Sequence, residues 1–505
     1  MTAVTERLAR PRSDSDIARY ALTALVPVGV LVAILAGGAR VAEALLAAAV
    51  AGGFVALVAR KPGPAVVGLL VWQPVSLVAL ALLFRLGAPA TGVRALGSVR
   101  DLVVLGVVIA ALFNRRRRPL DLLDKVAIAL VAVLSFYVVL PYAAPGVFAG
   151  TTLHVRALAW RIDTEYLVLF VALRHAPVSA RILRNATKAA IGVAVVVATG
   201  ALVEFIASDA WNSFLVSVAQ VPVYKLQVLH VATDPSDALV HGVVAGHAII
   251  RVGSVLLSPL TLGFYLYAAW ALTLRLLSGR RVRPGVVFAA VAIGGAILVT
   301  LTRSAVFGAL VVAVFSVGVA ASRRSSGRIR VGGLLVAAAL LFAPLAGSTT
   351  LGQRTTEAVT GADVSAQGHL DAVRAGFETL VHHPAGLGLG TQPGIGERFS
   401  VRGTVTAEDY YLGLGDEAGV QSVVLFVGVY VLLLLELRRR SRSPGAVGSF
   451  SGAIWAAGWG LAAGALFLHV WLDVTLALSF WALAAFALHD RWAADPPRSR
   501  RPGPV

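Results

Sequence analysis

The chain contains no cysteine, one methionine and four lysines (Lys61, Lys125, Lys188 and Lys225), and only 14% of its 505 residues are charged. Without cysteine there is no disulfide, no thiolate nucleophile and no cysteine-ligated metal. The shortage of charge excludes an ordinary soluble domain, in which roughly a quarter of residues are charged. Acid is scarcer still, with 26 Asp and Glu against 44 Lys and Arg, a net charge of +18. What fills the chain is apolar: 58% of residues are hydrophobic and the mean hydropathy is +0.81, the signature of a polytopic membrane protein. The excess of arginine does not form a basic stripe with interleaved aromatics, so nucleic acid is not the expected partner. The clusters fall between apolar runs, where membrane topology places them.

A membrane-spanning helix needs about 20 mostly apolar residues. Such runs lie near 20–37, 41–59, 64–85, 101–114, 121–141, 162–175, 187–207, 255–277, 284–301, 302–320, 331–347, 420–437, 451–468 and 471–488. Those at 101–114 and 162–175 are short for a full span. The reading is an all-α membrane protein of about 12–14 spans, comprising a polar cytoplasmic tail at 1–19, one transmembrane domain at 20–490 and a second cytoplasmic tail at 491–505. The N-terminal tail is expected to be retained, because the first apolar run lacks a small-residue cleavage site. With the N-terminus inside, every dense basic cluster falls on the cytoplasmic side: Arg60-Lys61, Arg115 to Arg118, Arg174 to Lys188, Arg280 to Arg283, Arg323 to Arg330, Arg438 to Arg442 and the C-terminal arginines. Asn185-Ala186-Thr187 matches a glycosylation sequon but falls inside and is discounted.

Two sizeable loops, 208–252 and 348–419, are then extracytoplasmic. The second is the longest polar interval in the chain. Within it, Leu370, Val373, Phe377 and Leu380 recur at helical spacing, which predicts an amphipathic helix over about 365–382, lying on the membrane surface and stopped by Pro384.

Three arginines stand at outer membrane edges: Arg251, Arg303 and Arg374. Snorkelling to the headgroups accounts for any one of them as readily as function does. Three beside one polar loop favour an anionic substrate, and the planar guanidinium suits phosphate oxygens. Glu408 and Asp409 precede Tyr410 and Tyr411 where the chain returns to the membrane, and a partly desolvated carboxylate there can serve as general base. His369, His382 and His383 are further candidate bases or phosphate partners. Asp416 and Glu417 are expected to cap the following helix. Gly386, Gly388 and Gly390 are read as a turn that lets the backbone approach a ligand. No Asp-x-Asp or zinc-protease histidine pair appears in the loop, so no metal and no cofactor are expected.

Together these segments resemble the O-antigen ligase and polymerase superfamily of bacterial envelopes over roughly 251–435. Arg251-Val252-Gly253-Ser254 followed by Ser258-Pro259-Leu260 is similar to the family's Arg-x-x-Gly…Asn-Pro-Asn segment, and Thr300-Leu301-Thr302-Arg303-Ser304 to its Thr-x-Ser-Arg turn. His383-Pro384-Ala385-Gly386-Leu387-Gly388 resembles Pro-x-x-Gly-x-Gly, one residue shorter. Glu408-Asp409-Tyr410-Tyr411-Leu412 with Glu417-Ala418-Gly419 resembles His-Asn-x-x-Leu…Glu-x-Gly. The resemblance implies a GT-C-like helical enzyme in the bacterial cytoplasmic membrane. Such an enzyme transfers a glycan, without a metal, from an undecaprenyl-diphosphate-linked donor to a glycan or glycolipid acceptor on the outer face. It further implies that Arg251, Arg303 and Arg374 hold the diphosphate, with Glu408 in the place of the family's loop histidine and Asp409 and His383 beside it. His369, Tyr410 and Tyr411 would contact substrate. The competing class is a transporter or flippase that moves a lipid-linked glycan without reaction. A GT-C enzyme using a lipid-monophosphate sugar is less consistent, because its acidic pair belongs in a first outer loop that here spans only 37–40. An enzyme of the diphosphate type should have its largest lipid-accessible cavity at the outer leaflet, lined by arginines.

Overall fold

A computed structural model of the chain describes residues 47–114, 119–143, 150–179, 181–231, 234–244, 247–278, 282–321, 364–392, 395–399, 401 and 408–489. The runs expected at 20–37 and 331–347, part of 41–59, and both tails lie outside the described residues. The chain forms two compact units, Met1–Arg60 and Lys61–Val505. In the first, the described element is the apolar helix α1 (Ala47–Arg60).

The second unit is built from helices whose boundaries are set by short-range chemistry. It runs α2 (Pro62–Arg85), α3 (Ala90–Gly97), α4 (Val99–Leu112), α5 (Leu122–Ala143), α6 (Leu153–His175) and α7 (Ile182–Ile206), then the short α8 (Ser208–Ser213) and α9 (Val221–Gln227). A hairpin of β1 (Val240–Val244) and β2 (His247–Arg251) follows. After it come α10 (Pro259–Leu277), α11 (Pro284–Val299), α12 (Arg303–Ala321), α13 (Val364–His382), α14 (Ile395–Arg398), α15 (Tyr410–Ser441), α16 (Gly445–Ala465) and α17 (Val474–Ala487). Proline opens α2, α10 and α11, where its missing N–H has no helical partner to lose. Thr152, Ser258, Asp409 and Asp473 cap α6, α10, α15 and α17 by accepting a backbone N–H from the first turn.

Among the described residues, six helical segments are long and apolar enough to cross a membrane: α2, α3 running into α4, α5, α7, α10 and α15. Helices α1, α11, α12 and α17 are apolar but shorter. The protein is thus an all-α polytopic membrane protein, and its one described departure is the antiparallel β1–β2 hairpin, with Val240 opposite Arg251. The short run at 162–175 is the second half of a 23-residue helix, α6. It looked short because its first half carries Arg156 and Arg161; Arg156 and, inside the run, Asp163 and Glu165 are buried.

Helix α6 packs between α4, α5 and α17, while α16 lies against α10, α12 and α15. Small residues allow the closest crossings: a Cβ on Gly460 of α16 would stand 2.5 Å from Val312 Cγ2 and 2.8 Å from the Gly308 carbonyl of α12. One aromatic core joins α6, α15 and α17. Tyr166 lies 5.4 Å from Trp481, Tyr430 5.5 Å from Trp471 and Tyr410 4.9 Å from Phe426, measured between ring centroids. Residues of α9 and the turn before it fill a smaller core against α2 and α3, through Leu215, Val221, Tyr224, Val78 and Val93.

The two ends of the bundle differ in chemistry. At one, Arg174 is clamped between Asp121, at 2.6 Å, and Asp124, while His175 meets the second oxygen of Asp124 at 2.9 Å. Burial would raise the Asp121 carboxyl, but the Arg174 guanidinium outweighs it and holds the group at about 2. Asp124 is completely buried, so Arg174→Ala strands a carboxylate away from water. The expected loss is about 3–5 kcal/mol of stability, read as a lowered melting temperature in detergent or nanodiscs. The opposite end, called the loop end below, carries β1–β2, α13 and the segments before α10, α12, α15 and α17.

Candidate functional site

The loop end brings together residues far apart in sequence. Arg251 closes β2, and its Nη2 donates to Thr302 Oγ1 at 2.9 Å. This ties the Arg251 segment to the turn from which Arg303 opens α12. Beneath it the Glu204 carboxylate of α7 accepts from Gly253 N at 3.3 Å and Ser254 N at 2.5 Å. Ser254, Leu257 and Leu301 all have positive φ without being glycine. Such backbone is strained and persists where surrounding contacts over-determine it. Both arginine segments are therefore held in set conformations.

Helix α13 is the predicted surface helix, at Val364–His382 rather than 365–382. Ala372 is buried and Leu380 packs against Gly415, while Leu370, Phe377 and Val381 form an exposed apolar stripe. Its His369 Nδ1 pairs with Glu408 Oε2, joining two candidates 39 positions apart. Arg374 is three-quarters exposed and reaches only Asp371, at 3.7 Å. His383 is exposed just beyond the helix. Asp409 is buried: its Oδ1 accepts Leu412 N at 2.8 Å, and burial pushes its carboxyl above the usual range against that bond.

Asp416 and Glu417 do not cap the next membrane helix. Helix α15 begins earlier, at Tyr410, and kinks at Ala418 and Gly419. Glu417 is wholly buried: Oε1 accepts Gly390 N at 2.7 Å and Gln392 N at 3.3 Å, and Oε2 accepts Gln392 Nε2 at 2.9 Å. Leu387 N and Gly388 N bond the Asp416 and Glu417 carbonyls at 2.6 and 2.9 Å, and Val420 N bonds Pro384 O at 3.0 Å. The backbone that the glycine loop approaches is thus the chain's own kink. Gly386, at φ +81°, would place a Cβ 2.7 Å from both Glu417 O and Gly419 N. Gly386→Ala is accordingly expected to cost at least about 1–3 kcal/mol from strained φ alone, and to unseat the loop, visible as new protease cleavage near 386–390. Tyr410 is fully buried, with its hydroxyl 2.8 Å from that of Tyr166 and 3.5 Å from Asp163. It packs inside the protein and has no face free for a sugar; Tyr411 beside it is partly exposed.

Residues 288–414 match a family model described as O-antigen ligase. The match supports an O-antigen ligase-like superfamily assignment. No curated protein matched the chain. The matched stretch contains Arg303, His369, Arg374, His383, Glu408, Asp409, Tyr410 and Tyr411. It starts after Arg251 and stops before Glu417; in the structure those two join the matched segment through Thr302 and through the loop.

A second charged cluster at this end was not assigned a role from sequence. Arg100 lies 3.6 Å from Glu165 and 3.7 Å from Asp101, and Arg161 lies 3.6 Å from Asp101 and 4.0 Å from Glu165. From there contacts run across the bundle. Asp473, in the field of Arg100, accepts Thr261 Oγ1 at 2.7 Å. Gly263 of α10 faces Ala305 of α12, next to the Arg303 turn, and Gly413 lies between His469 and Gln392. The available signal was the charge inside α6: acids and arginines within a membrane helix are rarely idle.

A cavity of about 400 Å³ lies at the Arg174 end between α4, α5 and α6, lined by Val108, Leu112, Ile128, Val171 and His175.

Proposed function

We propose that this O-antigen ligase-like protein transfers a glycan from an undecaprenyl-diphosphate-linked donor to an acceptor hydroxyl, as a polysaccharide polymerase or ligase. Glycan transfer of the ligase and polymerase type follows from the family match; donor, acceptor and chemistry are the proposal. The observation that carries it is the Arg251–Thr302 bond, which converges two arginine segments 52 positions apart on one rigid turn. Both arginines then face one anion. On this reading the loop end lies outside the cytoplasmic membrane; what supports it is that the described basic residues Arg174, Arg181, Arg184, Lys188, Arg283 and Arg438 to Arg442 stand at or beside the helix ends opposite the loop.

In this reaction the acceptor hydroxyl attacks the anomeric carbon of the donor sugar from the face opposite the diphosphate, giving inversion. The new C–O bond forms as the bond to the diphosphate oxygen breaks. The hydroxyl proton passes to Glu408, oriented by His369. The departing diphosphate carries the negative charge, which Arg251 and Arg303 stabilise, so no metal is required. Arg374 and His383, both exposed, are placed to meet substrate entering from the loop, and Tyr411 to stack on a sugar face; Asp409 fixes the start of α15 beside Glu408.

The test is transfer in proteoliposomes with a purified lipid-linked oligosaccharide and acceptor: a glycosidic product that requires both supports the reading. The cavity at the Arg174 end favours a second reading, a carrier that moves the lipid between leaflets without reaction. Leaflet movement with no product would establish that reading and overturn the first.

A further inference from the structure

Beyond the reacting groups, α6 carries two carboxyls that the transfer chemistry leaves unused: Glu165, which is paired with Arg100 and Arg161, and Asp163. Asp163 is buried on α6 and hydrogen-bonds the carboxyl of Glu417 on α15. Two carboxyl groups can share a hydrogen bond only if one of them holds a proton. The remaining partners say which. Glu417 accepts three N–H donors from Gly390 and Gln392, the environment of an ionised acid. Asp163 has only the long contact from Tyr410 OH, at 3.5 Å, besides Glu417. The groups facing the pair are Tyr166 on its own helix, Tyr410 and Asp416 on α15, and Gln392 on the loop. His469 stands beyond Gln392, across Gly413, and among the described residues no arginine or lysine faces the pair, so a second negative charge would stand uncompensated in the protein interior.

We propose that Asp163 and Glu417 form a one-proton carboxyl clamp in which protonated Asp163 donates to ionised Glu417 and so positions the loop 384–392 on the α15 kink. The clamp deepens the transfer reading by naming the residues that hold the loop beside Glu408. Both are positioning residues that act through the Gly390 and Gln392 backbone. The same clamp couples α6, outside the family-matched stretch, to the matched loop.

The absence of cysteine makes the test direct. Leu389 is fully buried in the docked loop, so Leu389→Cys in the full-length chain in nanodiscs reports undocking through its rate of reaction with a soluble thiol reagent. Rates are normalised to Asp371→Cys on the exposed face of α13. Asp163→Asn keeps an N–H donor towards Glu417 and is expected to leave Leu389→Cys protected. Glu417→Gln keeps one acceptor oxygen only, so its NH2 turns either against the Gln392 Nε2 donor or against the Gly390 and Gln392 N–H groups, and it is expected to speed labelling about tenfold or more. Raising the pH removes the shared proton, so the docked form loses stability as pH rises. Labelling should therefore accelerate at alkaline pH in the native background, with a much smaller rise in Asp163→Asn. Equal opening in Asp163→Asn and Glu417→Gln, or identical pH profiles, would overturn the clamp. If Glu417→Gln does not fold, the pH comparison between the native chain and Asp163→Asn decides alone. No donor or acceptor enters the assay, so failure of the transfer reading leaves its result intact, and failure of the clamp leaves the Glu408 and Arg303 assays intact.

Discussion

Arg303→Ala is expected to lower glycan transfer roughly a hundred- to a thousand-fold, the range for removing one pre-organised charge stabiliser from a transition state. Arg303 is the first residue of α12, fixed behind Leu301 at φ +51° and beside the Thr302 hydroxyl that anchors Arg251. Charge grows on the diphosphate only as its bond to sugar breaks, so the loss should fall mainly on kcat. Arg303→Lys should restore little, because an ammonium cannot offer the planar pair of donors that matches two phosphate oxygens. Arg251→Ala should act in the same direction. It removes a cation and the bond to Thr302 together, and the two variants should combine less than additively because they share that turn. The measurement is product formation in proteoliposomes at saturating lipid-linked donor. Undiminished turnover in Arg303→Ala would remove the diphosphate role assigned to this turn.

Glu408→Gln is expected to reduce transfer by about a hundred- to ten-thousand-fold, the usual contribution of a general base. Glutamine keeps the size of the side chain and can still hydrogen-bond the imidazole of His369, so the α13 contact survives while proton acceptance does not. His369→Gln should cost less if the imidazole only orients the carboxylate. A larger effect in His369→Gln would exchange the two roles and make histidine the base. Donor binding should change little in either variant, because the arginines proposed to hold the diphosphate lie on β2 and α12. A Glu408→Gln protein with native turnover would end the assignment of a base to this pair.

Much of the architecture could be read from composition and pattern, because a bilayer imposes long apolar helices and sorts arginine between its ends. The runs at 64–85, 121–141, 187–207 and 255–277 correspond to α2, α5, α7 and α10 within a few residues. Motif order was legible too, since the Arg303 turn and the Glu408 segment sit inside the matched stretch. What periodicity missed was polarity buried within a helix. Arg156 and Arg161 made α6 resemble half a span, because a hydropathy window averages charge without knowing whether a partner awaits it. The same blindness made Glu417 look like a helix cap and Tyr410 like a sugar platform, although both are completely buried.

By itself the sequence determined that this chain is an all-α membrane protein built of long apolar helices, with one long polar interval between them. These are consequences of solvation, which acts on each segment alone. The pairings were decided only by tertiary structure: Arg251 with Thr302, His369 with Glu408, Asp163 with Glu417. Each joins residues between 39 and 254 positions apart. A hydrogen bond or a shared proton depends on ångström distances that no local pattern encodes, and the helices have to pack before those distances exist.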